Sequence, residues 1–151
     1  LASRPSARRF TLIVVTAWVI VAVPARSNQS TPFAEIASPA RGEWPTYHGS
    51  LSGNRFSPLD QINAATIHRL APKWMFTIQG APRPLQMTPL VVAGVMYVTS
   101  VNEAYALDAR SGRQIWHYSR PRTPGLAGDA ATGINRGAAV LANRVFMVTD
   151  N

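Results

Sequence analysis

The stretch from Thr88 to Tyr118, TPLVVAGVMYVTSVNEAYALDARSGRQIWHY, holds four short apolar runs separated by tight-turn residues, and a similar pattern restarts at Gly137. Val95-Met96-Tyr97-Val98-Thr99-Ser100 lies over Val145-Phe146-Met147-Val148-Thr149-Asp150 at an offset of 50 residues. Repetition at such a period marks propellers and related arrays, where each unit covers the apolar face of its neighbour. The expected fold class is all-β: a β-propeller, of which this region is one complete blade and the beginning of the next.

Within the blade, Pro89 to Val92 reads as the inner strand and Ala93-Gly94 as a turn. Val95 to Ser100 is the second strand, and its near-continuous apolar content suits a sheet covered on both faces. Glu103 to Leu107 is the third. Asp108 can accept backbone N–H bonds in the following turn, which Gly112 closes with a positive φ. Gln114 to Tyr118 is the fourth, and its Trp116 is placed to lie over a neighbouring blade.

The chain begins with Leu1, and its final RVFMVTDN matches only the second strand of a blade, so a piece of a longer protein is expected. Residues 1–25 read as a secretory signal peptide, in which Arg4, Arg8 and Arg9 precede an uncharged run from Phe10 to Val23. That run is shorter than the roughly 20 residues a membrane-spanning helix needs. Its length favours a cleaved signal over a membrane anchor, and a periplasmic or secreted location is expected. Residues 26–42, rich in Ser, Pro and Ala, read as a linker.

Three of the 15 basic residues lie in the signal, which leaves 12 against 7 acids from Arg26 onward, a net charge of +5. The arginines are scattered with no dense run, so they read as a solvated surface and no nucleic-acid partner is expected. There are no cysteines, hence neither a disulfide framework nor a thiolate metal site.

Residues 43–151 form the remaining unit. Trp44-Pro45-Thr46-Tyr47-His48-Gly49 places aromatics densely in an irregular segment, which is how loops are pinned to a surface. A short helix is expected after it, with Asn63 as N-cap and Ile62 stapled against Ile67. Lys73 to Ile78 has strand-forming content and stands alone in sequence. Such a lone strand can complete the last blade of a closed ring.

Spacing alone leaves the chemistry open. Asp108 and Glu103 read as turn and strand-edge residues, and His48, His68 and His117 lack metal-ligand spacing. No phosphate loop, dinucleotide fingerprint or nucleophile elbow is present. Yet WPTYHGSLSGNRFSPLDQIN, LAPKWMF, the blade and GINRGAAVLANRVFMVTDN, in this order, resemble the N-terminal part of the quinoprotein alcohol and glucose dehydrogenases that use pyrroloquinoline quinone. The Trp44 to Asn63 block and the Asn135-Arg136-Gly137 triplet are the specific parts of that likeness. ALDARSGRQIW is only a general propeller repeat.

The resemblance implies an eight-bladed propeller with the quinone on its axis and a Ca²⁺ or similar ion beside it. It implies oxidation of an alcohol or aldose sugar, with hydride passing to a quinone carbonyl that the metal polarises while a base takes the hydroxyl proton. Cytochrome c or a membrane quinone would accept the electrons. Arg136 matches the family's quinone-contacting arginine, whose planar fork suits the cofactor's carboxylates. Asn135 beside it and Gln86 are the other cofactor-binding candidates, while the catalytic base and the main metal ligands are expected beyond Asn151.

Two positions depart from the alcohol dehydrogenase pattern. Ala130 and Ala131 stand where many members carry adjacent cysteines, and Gln86 stands where they carry a glutamate. An amide can still hydrogen-bond a cofactor oxygen, and it can donate to a carboxylate as well. A divergent dehydrogenase is therefore the leading reading. A non-catalytic propeller scaffold and a sugar- or polymer-binding propeller are the alternatives.

Overall fold

The computed structural model describes residues 32–79 and 85–150. The expected signal peptide, the first residues of the linker and Asn151 lie outside the described residues. Four strands, β1 (Leu90–Val92), β2 (Val95–Ser100), β3 (Glu103–Asp108) and β4 (Gln114–Ser119), form one antiparallel sheet in sequential order. A second hairpin pairs β5 (Ala138–Leu141) with β6 (Arg144–Met147). One propeller blade and the opening hairpin of a second are thus present, as the repeat predicts.

Each turn has a local cause. Ala93 and Gly94 both take positive φ, at 49° and 74°, which lets a two-residue connection follow the twist of β1 and β2. Asn102, at φ 58°, makes the next turn, in a conformation that short polar side chains tolerate best after glycine. Asp108 Oδ1 accepts from the Arg110 and Ser111 amides at 3.2 and 2.9 Å and from the Ser111 hydroxyl at 2.9 Å. Gly112 closes this last turn at φ 72°, as expected.

The register pairs Leu90 with Tyr97, Tyr97 with Ala106 and Ala106 with Trp116, which puts these residues on one face of the sheet. Leu90 and Val92 pack there with Val140, flanked by Tyr97, Ala138 and Val145, so the second hairpin covers this face. Val98, Tyr105 and Leu107 lie on the opposite face and are covered by Trp74, Phe76, Ile78, Met87 and Met96. Both faces are buried, as the apolar content of β2 predicts. Trp116 does not lie over a neighbouring blade; its ring meets Tyr97 of the same sheet at 6.0 Å.

Three expectations for the N-terminal part are corrected. Residues 73–78 run extended but join no ladder among the described residues; instead alternate side chains press onto the sheet. The helix after Asn63 is only a 3₁₀ turn, Ile67–Arg69. Asn63 does cap the chain there, through Oδ1 to the Ala65 amide at 2.9 Å. Its carbonyl takes the Thr66 and Ile67 amides in a tight turn, and Ile62 and Ile67 stay 62% and 51% exposed, so no staple forms. Finally, the segment read as linker contains a helix of little more than one turn, Phe33–Ala37, with Ile36 buried.

Trp44 is bound directly to the blade. Its N–H and C=O exchange hydrogen bonds with Val91 at 2.8 and 2.9 Å, and Glu43 accepts from the Ala93 amide at 2.8 Å. Gly49 packs against the indole so closely that a β-carbon there would lie 2.9 Å from it. The Thr46 hydroxyl is the one buried side-chain polar atom without a partner among the described residues.

Candidate functional site

Beside the junction of the two hairpins lies a cleft of about 360 Å³ whose lining includes Val101, Asn135, Arg136, Gly137, Val148 and Asp150. That volume is near the lower end for small-molecule sites, which span roughly 300–1,000 Å³. Asn135 organises its floor. The amide oxygen accepts from the Thr99 hydroxyl at 2.6 Å and from the Gly137 amide at 2.8 Å, while Nδ2 donates to the Val148 carbonyl at 2.9 Å. One side chain therefore joins β2 of the first blade, the triplet itself and the strand tail of the second.

Arg136 follows Asn135 and is exposed. Its guanidinium has no hydrogen-bond or ion-pair partner among the described residues, unlike Arg120 and Arg122 nearby. Gly137, at φ 126°, completes the triplet in a conformation that side chains rarely adopt. A β-carbon on Gly137 would stand 3.6 Å from the Thr88 carbonyl, so the loop carrying Gln86 runs past the triplet. Gln86 is likewise exposed. The structure thus brings the Gln86 loop and the Asn135–Arg136 pair to the same border of the sheet.

Sequence reasoning missed Asp150. Its side chain is 2% exposed and its Oδ2 lies 2.9 Å from Arg122 Nε. The same carboxylate accepts from Asn102 Nδ2 at 2.8 Å and from the Thr123 amide and hydroxyl, both at 3.0 Å. The Asn102 hydrogen bond comes first among the causes that hold this carboxyl well below the usual range. The Asp150 amide returns a bond to Asn102 Oδ1 at 2.9 Å. Arg122 also reaches the Ala131 carbonyl at 3.4 Å, in the 3₁₀ turn Gly128–Thr132. The side chain of Ala130 lies outside the described residues. The available signal was that Asp150 stands two residues after Val148 in a repeat position, but its partners are 27 to 48 residues away.

The other titratable residues are structural. Asp108 is held below the ordinary carboxylate value, first by the Ser111 hydroxyl. Glu103 accepts from the Tyr105 hydroxyl at 2.9 Å and lies 3.6 Å from His117, whose ring stacks on Tyr105 at 4.1 Å. Burial, then that hydrogen bond, push the Tyr105 phenol up to about 12. His48 accepts from Arg55 Nε at 2.6 Å, and Arg55 covers the Tyr47 ring at 4.9 Å. His68 is exposed on the 3₁₀ turn. Among the described residues no three His, Cys, Asp or Glu side chains meet in a way that could hold a metal ion.

Comparison with known proteins agrees with this geometry. Residues 44–150 match the family described as glucose/ethanol/alcohol dehydrogenase, beta-propeller domain, of the PQQ (pyrroloquinoline quinone) type. The chain is 40% identical over 111 residues to the 1-butanol dehydrogenase (cytochrome c) of Thauera butanivorans, covering 72% of this chain and 16% of that one. It is 34% identical over 141 residues to the same organism's 1-butanol dehydrogenase (quinone), covering 91% of this chain and 22% of that one. The chain therefore spans about a fifth or less of these relatives. A quinohemoprotein alcohol dehydrogenase from Pseudomonas putida HK5 superposes with a TM-score of 0.68 at 32% identity, over 80% of this chain and 18% of that structure. With a four-stranded blade, a second hairpin and the NRG triplet between them, the chain belongs to the pyrroloquinoline quinone-dependent alcohol and glucose dehydrogenase family and forms part of its β-propeller.

Proposed function

We propose that this chain serves, within a longer protein, as the first part of a propeller dehydrogenase that oxidises an alcohol or aldose sugar with pyrroloquinoline quinone. The observation that carries the reading is Arg136: an exposed guanidinium, unpaired among the described residues, on a cleft between two blades. A quinone bearing three carboxylates fits that donor set, because paired carboxylate oxygens match the fork of an arginine. The bound quinone would supply the acceptor for the substrate's hydride. Arg136 would hold a carboxylate, Asn135 would fix the backbone that carries it, and Gln86 would offer an amide to a cofactor oxygen. The base, the Ca²⁺ and its main ligands are assigned to residues other than those described.

In this reading the protein is exported, on the strength of the signal-like residues 1–25, and passes electrons to cytochrome c or a membrane quinone, as the names of its relatives suggest. The test uses the full-length gene product reconstituted with the quinone and Ca²⁺. Dye reduction is expected with alcohols or aldoses, and Arg136→Ala is expected to weaken quinone binding about 10- to 100-fold, the effect of about 1.4 to 2.8 kcal/mol. Its melting temperature should not move. Quinone binding that is absent, or indifferent to Arg136, would leave the non-catalytic propeller as the better account.

A further inference from the structure

We propose that Asp150 is a positioning residue for the Arg136 cleft: it fixes the tail of the β6 segment and, through Arg122, the turn that leads into the Asn135-Arg136-Gly137 triplet. The proposal rests on the quinone reading of that cleft. Asp150 is the point where three separate pieces of chain are tied together. Asn102, itself 1% exposed, comes from the β2–β3 turn, and its Nδ2 also donates to the Pro121 carbonyl at 3.1 Å. Arg122 and Thr123 come from the loop after β4, and Asp150 itself from the chain after β6.

These ties reach the triplet from two sides. On one, Arg122 joins the Asp150 carboxylate at 2.9 Å to the Ala131 carbonyl at 3.4 Å, four residues before Asn135. On the other, Asn135 Nδ2 holds the Val148 carbonyl, two residues before Asp150. The triplet is thus suspended between supports that share one buried carboxylate. Removing it would release Arg122, Thr123 and the strand tail together, because a buried network loses all its members when its central acceptor goes.

The charge of Asp150 gives the proposal an unambiguous sign. An isolated carboxylate beside an anionic ligand would repel it, but Arg122 at 2.9 Å occupies this one. Asp150→Asn removes a negative charge and frees a positive one. If Asp150 mattered only through its field, that change would tighten the binding of a carboxylate-bearing quinone. If Asp150 acts by position, binding weakens despite the more favourable field.

The experiment titrates pyrroloquinoline quinone into the full-length gene product, following tryptophan quenching, and measures amide exchange at Gly137. Asp150→Asn and Arg122→Gln are expected to weaken quinone binding tenfold or more and to speed Gly137 exchange by a similar factor. Arg122→Lys, which keeps the charge without the fork, should fall between Arg122→Gln and wild type. Asp108→Asn removes a turn carboxylate far from the cleft in sequence and contacts, and should change neither quantity. Unchanged or tighter binding in Asp150→Asn, or slow Gly137 exchange in both main variants, overturns the proposal. Should Asp150→Asn fail to fold, Arg122→Gln decides by the same two measures. Should the wild type bind no quinone, the dehydrogenase reading fails, and Gly137 exchange alone decides whether Asp150 positions the triplet.

Discussion

One face of the first sheet is covered by a regular hairpin and the other by a segment with no regular structure. On the first face Leu90 and Val92 meet Val140 from β5. On the second, Val98, Tyr105 and Leu107 meet Trp74, Phe76 and Ile78. The irregular cover still alternates in burial: residues 74, 76 and 78 are half-buried, whereas 73, 75 and 77 are exposed. Period-two alternation therefore suffices to bury an apolar face, and a hydrogen-bonded ladder is a separate matter. What the irregular cover lacks in ladder bonds it gains in anchors. Trp74 Nε1 donates to the Ala109 carbonyl at 3.3 Å, and the Phe76 ring meets Tyr105 edge-on at 5.2 Å.

The largest test of this comparison truncates one leucine on each face. Leu90 and Leu107 are both 1% exposed, so Leu90→Ala and Leu107→Ala should each destabilise by about 2–5 kcal/mol in denaturant unfolding. If Leu107→Ala cost far less, the irregular strip would be shown to close into the cavity while the hairpin cannot. Gly112→Ala comes next. It demands a left-handed backbone worth about 1–2 kcal/mol and puts a β-carbon 2.6 Å from the Trp74 indole. The same substitution in a Trp74→Ala background should cost less, since only the backbone term would remain; equal costs would show that Trp74 does not press on this turn.

The smallest effect is a pH dependence, and it separates the turn of the first blade from the junction of the two. Asp108 and Asp150 both have folded-state values below the ordinary 3.8. Each therefore contributes stability that is complete above about pH 4 and is lost as the pH falls through the lower folded value. In acid titrations followed by unfolding, Asp150→Asn should flatten the acid loss more than Asp108→Asn, because the Asp150 carboxyl is held further down. Equal flattening would make the two carboxylates equivalent.

The blade was legible because its information is local. Ala93-Gly94 and Asp108 to Gly112 satisfy their own backbone within a few residues, so the pattern alone places the strands. The Lys73 to Ile78 segment shows where that stops. Its alternation was readable and its burial followed, but a ladder needs a partner edge that no local pattern supplies. The α-helix after Asn63 failed for a related reason: the Asn63 carbonyl and side chain take up the next amides within one turn. At the site, the resemblance singled out Asn135 and Arg136, and the structure separates them: Asn135 is engaged by three protein partners and Arg136 by none among the described residues. Asp150 was invisible because its meaning lies in Asn102, Arg122 and Thr123, all remote in sequence.

The attachment of Trp44 to β1 also sets an order of events. Glu43 and Ala93 are 50 residues apart, and joining them closes a loop whose entropic cost grows with the logarithm of its length. The turns of the blade close over a few residues each and form sooner for the same reason. During synthesis Trp44 leaves the ribosome well before Val91, and until then its N–H and C=O have only water to bond. The aromatic block is thus the earlier part made and the later part folded, waiting on an edge that does not yet exist.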